Sequence, residues 1–284
     1  MIPQIMARIA VVLHANWFTN AEFDKIVDAG RSLNADDIIK YRCAEFPEKY
    51  VQGYVDHIFT NYKNKIPGLK IAIDVAYSDV VVKNAAKFKQ MGFDIVDYNI
   101  EADFDGPNSR DQASSTVEKT RKVSEATRAQ GLIFRLSPGR PNTKTWIRMG
   151  LLDDVARLVD QYHIQTQSVQ DVSNQEYAGF TEDVCKRLRA VNPNLMVTSQ
   201  VAPAQGSQPG KTVQQTMRDV ITASMNRPTP GNTNGVSMWT RSSDVDTAKS
   251  FYTWFKNTDR IKASSNLLSH SSRQQVFGFA QKAD

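Results

Sequence analysis

The sequence predicts an α/β protein built as a single (β/α)8 barrel, and three observations predict it. Eight short β-rich runs recur along the chain, segments of helical period separate them, and no shift in composition divides the 284 residues. A barrel of alternating strands and helices uses about 250 residues as one domain, so one large core accounts for a chain of this length. Parallel strands need crossover connections, and closing the sheet removes its edges. An open doubly wound sheet is the structural alternative.

The strands are expected at Ile9 to Leu13, Asp37 to Cys43, Leu69 to Val75, Phe93 to Ile100, Leu132 to Leu136, His163 to Val169, Leu195 to Val201 and Val236 to Thr240. Met1 to Leu13 is apolar in part, but only Arg8 is basic there and the run is too short for a signal-peptide core, so it reads as the first strand. Localisation stays open between the cytoplasm and export after removal of a leader. Between the strands, Val81, Ala85 and Phe88 recur at helical spacing, as do Val117, Thr120 and Val123 followed by Ala126. Gly92 and Gly131 each end a helical pattern just before a strand, where a left-handed cap is wanted; Pro67-Gly68 and Asn192-Pro193-Asn194 stand at equivalent joints. The barrel domain is assigned to 1–263. The Ser- and Gln-rich stretch 264–284 lies beyond the repeat as a tail or an extra helix.

Side chains alternate across a strand, and the helix layer takes the apolar set. In the fourth strand Asp97, Asn99 and Glu101 then share the inner face. The same parity points Ala72 and Asp74, Arg135 and Ser137, His163, Gln165 and Gln167, Thr198 and Gln200, and Ser237 and Trp239 inward. Barrel interiors favour branched apolar residues, so polar groups near the carboxyl ends of many strands predict a ligand site in the mouth. Gln165 and Thr198 lie deep enough to be satisfied core groups. His14, Asn16 and Trp17 follow the first strand and can line the same mouth.

Composition narrows the ligand. No apolar run approaches the ~18 residues of a membrane helix, and the formal charge of +5 is spread without a basic block, which argues against membrane and nucleic-acid partners. Cys43 and Cys185 fall in different elements and suggest two reduced thiols. His163 has no partner at metal-ligand spacing; no metal and no cofactor are expected, and the chain is expected to be a monomer.

Phe93-Asp94-Ile95-Val96-Asp97-Tyr98-Asn99-Ile100-Glu101 resembles the signature of family-18 glycoside hydrolases, the chitinase family, in which three acidic positions precede a catalytic Glu by seven, four and two residues. Asp94, Asp97 and Glu101 match, and Asn99 stands where Asp is commonest. Gly235-Val236-Ser237-Met238-Trp239 resembles the family's last strand, whose Trp floors the sugar pocket. The resemblance follows the strand order and is specific in these two segments. It departs in three places: Asp74-Val75-Ala76-Tyr77 replaces the family's Ser-x-Gly-Gly, Ile95 replaces a glycine, and Gln167 stands where a Tyr is expected.

The resemblance implies an enzyme that cleaves, or a lectin-like relative that binds, a β-linked N-acetylglucosamine-type glycan. Glycoside hydrolysis normally takes two carboxylates. The seventh strand offers Gln200 and no acid, and Asp74 is the only other strand-end carboxylate placed in the mouth. What remains is a substrate-assisted retaining route in which Glu101 acts as acid while the acetamido carbonyl attacks. Asp97 is expected to raise the Glu101 pKa by like-charge repulsion, and Asn99 to accept the acetamido N–H. Asp74, Arg135, Gln167, Gln200, Trp239 and Trp17 are the expected sugar-binding residues.

Two further motifs weigh less. Glu101, Asp103, Asp105 and Gly106 read like half of a calcium loop, but the twelfth position is Gln112, where a Glu is required. Gly206-Ser207-Gln208-Pro209-Gly210-Lys211-Thr212 looks like a phosphate loop one residue short. It supports the rival reading, a barrel enzyme acting on a phosphorylated small molecule.

Overall fold

The computed structural model describes residues 10–14, 18–30, 33–43, 55–240 and 244–257. Eight parallel strands close into one barrel in chain order: β1 (Ala10–His14), β2 (Ile38–Arg42), β3 (Lys70–Val75), β4 (Ile95–Tyr98), β5 (Ile133–Leu136), β6 (Gln161–Ile164), β7 (Met196–Val201) and β8 (Gly235–Met238). The helices are α1 (Asn20–Gly30), α2 (55–63, ending in the π-helical turn Phe59–Lys63), α3 (Ser78–Gln90), α4 (Arg110–Ala129), α5 (Arg140–Met149), α6 (Leu152–Leu158), α7 (Asn174–Val191), α8 (Val213–Met225) and α9 (245–257). This is the TIM-barrel architecture that the eight-fold alternation predicts. The domain boundary expected at 263 and the tail 264–284 lie outside the described residues.

Five strands match their expected bounds to within one residue, and three differ by more. The sixth strand runs from Gln161 to Ile164, earlier than read, and Gln167–Val169 is a 3-10 turn. The fourth strand stops at Tyr98, so Glu101 sits on the 3-10 turn Ile100–Asp103. The eighth starts at Gly235 and ends at Met238, leaving Trp239 just past it. In each case the inward parity read from the sequence runs on past the last ladder position, to Glu101, Gln167 and Trp239.

The wall of the barrel divides the core in two. Outward-facing strand residues such as Val11, Ile73, Val96, Phe134 and Val197 join the apolar faces of the helices, among them Val81, Ala85 and Phe88 of α3 and Val117 and Val123 of α4. Val12, Ile38, Ala72 and Ile95 form a separate cluster inside the sheet, with Ile133 and Met196 packed against it. This apolar plug fills the amino half of the interior. The carboxyl half is polar.

At the amino end one device recurs four times. The residue before each even strand accepts, through its side chain, the backbone N–H of the preceding odd strand: Asp37 from Val11 at 3.0 Å, Asp94 from Ile71 at 2.8 Å, Asp160 from Phe134 at 2.8 Å and Asn234 from Val197 at 2.9 Å. In every pair the donor lies one residue before the first paired position, which is Val12, Ala72, Arg135 or Thr198. Its N–H has run past the start of the neighbouring strand, and a side chain takes the place of the missing carbonyl. Each acceptor also meets a cation: Lys256, Lys63, Arg128 and Arg189, in that order.

Gly92 shows why a joint between helix and strand needs glycine. Its φ is +88°, and a Cβ there would lie 2.5 Å from the Phe59 ring.

Candidate functional site

The polar half of the interior is built in two tiers. In the lower tier Lys40 bridges two carboxylates, Asp74 at 2.6 Å and Asp97 at 2.8 Å. Asp97 also pairs with Arg135 at 3.1 Å and accepts from the Ser137 hydroxyl. Arg135 donates onward to Gln161 Oε1 at 3.2 Å and to Thr198 Oγ1 at 2.6 Å, and Thr198 bonds His163 Nδ1 at 2.8 Å. On the far side His14 Nε2 meets Ser237 Oγ at 3.0 Å. Buried charges stand only when paired and hydrogen-bonded, and this network supplies both.

Above it opens a cavity of about 200 Å³ at the carboxyl ends of the strands. Its walls are His14, Lys40, Arg42, Asp74, Asn99, Glu101, His163, Gln165, Gln167, Gln200, Gln205 and Trp239. Glu101 stands at the rim, exposed at one side, with its carboxylate packed over Gly139: a Cβ on that glycine would lie 2.5 Å from Glu101 Oε1. Gln165 Nε2 donates to Asn99 Oδ1 at 3.3 Å and to the Ser137 carbonyl at 3.0 Å, which ties the fourth, fifth and sixth units together at the mouth. Among the described residues Trp239 is the one Trp, Tyr or Phe of the walls and is half-buried, with its backbone N–H held by the Val201 carbonyl at 2.8 Å.

The charges are set by burial and by neighbours. Glu101 holds its proton above the ordinary carboxylate range, first because the walls desolvate it and then because Asp74 repels its charge, against the pull of Arg42 and Lys40. Burial opposes ionisation of Asp97 as well, but Lys40, Arg135 and the Ser137 hydroxyl outweigh it, and its pKa falls below the usual value. Asp74 is raised by burial and by Asp97, with Lys40 opposing. His14 and His163 are both driven well below the ordinary imidazole value, chiefly by burial and then by the cations Lys40 and Arg135 around them, so both rings are neutral.

Of the residues expected from sequence, Glu101, Asn99, Asp74, Gln167, Gln200 and Trp239 share the cavity wall. Asp97 and Arg135 do not reach it. They are fully buried in the lower tier, where each neutralises the other. The repulsion that lifts Glu101 comes from Asp74, in place of the expected Asp97. Gln165 lies at the mouth as well as in the core, whereas Thr198 is the satisfied core group expected. Trp17 and Asn16 fall outside the described residues.

Lys40, Arg42 and Gln205 were not expected in the site. The two cations share the inward parity of Ile38 on β2, so strand alternation carried the signal; Gln205 ends a 3-10 turn after β7 and had none.

The two lesser motifs are closed on themselves. Asp103 and Asp105 hold the Lys119 ammonium at 3.0 and 2.7 Å, and Asp103 also accepts from Tyr98 and from the Ser78 N–H. Lys211 pairs with Asp219 at 2.7 Å and donates to Gln208, while Thr212 and Gln215 form a capping box over the start of α8. A helix start capped by its own side chains has fewer N–H groups to offer a phosphate. Cys43 and Cys185 are buried thiols, pushed up by burial to about 11 and about 12. Among the described residues no group of three or more His, Cys, Asp or Glu is placed to hold a metal, and no helix is long and apolar enough to cross a membrane.

No protein-family model and no curated protein matches the sequence. Solved structures match in fold. A family 18 chitinase from Crocus vernus superposes with a TM-score of 0.57 at 14% identity, covering 85% of this chain and 95% of that one. A GH5_18 protein from Streptomyces cattleya in complex with GlcNAc gives 0.58 at 13% identity, covering 82% and 70%. A D-allulose 3-epimerase from Methylomonas sp. gives 0.53 at 11% identity, covering 90% and 98%. At these identities the likeness is one of fold, shared by glycoside hydrolase barrels and by barrels of other chemistry.

Proposed function

We propose that the protein is a glycoside-active barrel whose Glu101 protonates the glycosidic oxygen of a β-linked N-acetylglucosamine-type glycan. The observation that carries the reading is Glu101 itself: a carboxyl with a raised pKa, at the rim of a polar cavity that has Trp239 in its wall. A general acid needs a proton to give near the working pH, and a stacking surface with convergent amides suits a sugar face and its hydroxyls. The fold likeness to glycoside hydrolase barrels agrees with it at the level of architecture.

In the first step the Glu101 proton passes to the leaving oxygen as the C–O bond breaks. The substrate's acetamido oxygen bonds to the anomeric carbon and closes a positively charged oxazolinium ring. Water then opens that ring, and the Glu101 carboxylate takes the water's proton. Asp97 is ionised beneath, locked by Lys40 and Arg135, and acts on the site through the order it imposes on the lower tier.

A second reading, sugar binding without turnover, draws on the amides. Asn99 Oδ1 already accepts from Gln165, and Gln167 brings an amide where a tyrosine hydroxyl would hold the acetamido oxygen.

Binding separates both readings from a non-sugar ligand. In calorimetry with an N-acetylated chitooligosaccharide, Trp239→Ala is expected to weaken binding by ~1 to 3 kcal/mol, the loss of a large aromatic anchor from a desolvated site. An unchanged dissociation constant would make Trp239 a packing residue and remove the sugar platform.

A further inference from the structure

We propose that the floor of this cavity is a hydroxyl-binding subsite that takes one terminal sugar ring. The proposal rests on the sugar reading above and adds which end of the ligand enters.

Three floor residues, Asp74, His163 and Gln200, are at least nine-tenths buried and line the cavity. Each carries a polar atom with no hydrogen-bond partner among the described residues: Asp74 Oδ1, His163 Nε2 and Gln200 Oε1. Buried polar groups are ordinarily satisfied, so three unmet atoms around one space call for a partner that enters it.

The network beneath narrows what each atom offers. The Arg135 guanidinium can only donate, so Thr198 Oγ1 accepts from it, and the bond between that hydroxyl and His163 Nδ1 runs either way. With the ring neutral, Nε2 either donates or accepts. Gln200 Oε1 is an acceptor, and Gln200 and His163 interact without a hydrogen bond of proper geometry. A hydroxyl both accepts and donates, so it suits either form of the ring and the Gln200 oxygen as well. Asp74 gives one oxygen to Lys40 at 2.6 Å, and its other oxygen is an acceptor for a second hydroxyl.

Neighbouring hydroxyls on a sugar ring meet this pattern. A carboxylate or phosphate would put its charge against the bare Asp74 oxygen, and a cation would face Lys40 and Arg42 in the same walls.

Size and the hydroxyl pattern choose the end of the ligand. A cavity of about 200 Å³ is smaller than the roughly 300–1,000 Å³ of sites for drug-sized ligands, so it holds about one ring. An internal 4-linked N-acetylglucosamine ring keeps only its 3-hydroxyl on the ring, so a pair of neighbouring ring hydroxyls exists only at the non-reducing end. The ring on the floor is therefore a chain end.

Calorimetry on the full chain tests this with three probes: N-acetylglucosamine, its fully O-methylated derivative, and chitotriose. The expected result is that the monosaccharide binds within about tenfold of chitotriose, and that methylation, which removes every hydroxyl donor, costs at least about tenfold. Gln200→Leu and the shape-conserving Asp74→Asn should each weaken the monosaccharide by about tenfold or more. Two floor variants guard against one that does not fold, checked by circular dichroism. Chitotriose binding with no monosaccharide binding, or folded floor variants with parent affinity, overturns the subsite alone, and the atoms are then met by water. If no N-acetylated sugar binds at all, the sugar reading fails and the subsite falls with it.

Discussion

At the scale of single residues, the cavity works through unequal environments for similar groups. Asp97 and Asp74 share one lysine, yet Asp97 also has Arg135 and Ser137 and stays ionised, while Asp74 and Glu101 are held toward the protonated form. Strand alternation made Asp97, Asn99 and Glu101 legible as one inward face. It did not show that Asp97 would be sealed below the cavity, because depth depends on how the strands stagger. The neutral histidines give a stability prediction. In the unfolded chain His14 and His163 take up protons below about 6.5, but in the fold their values lie well beneath that, so the unfolded state binds more protons as pH falls. Their contribution is complete above about 6.5 and is lost as pH drops toward the depressed folded values, at up to about 1.4 kcal/mol per pH unit for each ring. Chemical denaturation of the parent and His163→Gln between pH 7 and 5 should show the shallower slope in the variant. Equal slopes would mean that His163 is protonated in the fold.

At the scale of elements, the sequence carried the strands better than their ends. Gln167 and Glu101 read as strand residues because alternation continues past the last paired position, but local 3-10 turns take over there. Lys40 and Arg42 escaped notice for a related reason. A cation in a strand reads as edge or solvent-facing until its carboxylate partners on β3 and β4 are known. The loop from β5 to α5 contributes through Gly139, whose φ of −62° and ψ of 158° suit any residue. Only space forbids a side chain: its Cβ would lie 2.5 Å from Glu101 Oε1 and 2.7 Å from Asn142 Oδ1. Gly139→Ala should therefore displace the acid with little change in melting temperature, and a shift of about 1 Å can cost on the order of a hundredfold in turnover. Parent turnover in a folded Gly139→Ala variant would show that Glu101 has room to move without consequence.

At the scale of the whole molecule, the barrel is closed by chemistry at its amino end and made useful at the other. The four side-chain acceptors ahead of β2, β4, β6 and β8 impose a two-unit repeat on an eight-unit fold. Asp37, Asp94, Asp160 and Asn234 each stand directly before an even strand, but their cations lie far off in the chain, Lys256 as distant as 219 residues from Asp37. That pair, at 2.5 Å, joins α9 to the start of β2 and so links the last unit to the second. Lys256→Met should lower unfolding stability by about 3 kcal/mol, the low end for breaking a buried pair, since Asp37 keeps its backbone donors Val11 and Asn34. A loss under about 1 kcal/mol in urea denaturation would show that closure does not depend on this pair.

The central claim is that the polar mouth works on a sugar through the Glu101 proton, and the most direct test is turnover and binding of an N-acetylated chitooligosaccharide by the parent and Glu101→Gln. The account predicts cleavage by the parent that falls as pH rises through the raised Glu101 pKa, loss of at least about a hundredfold in kcat for the variant, and a nearly unchanged dissociation constant. Cleavage by Glu101→Gln at the parent rate would contradict it.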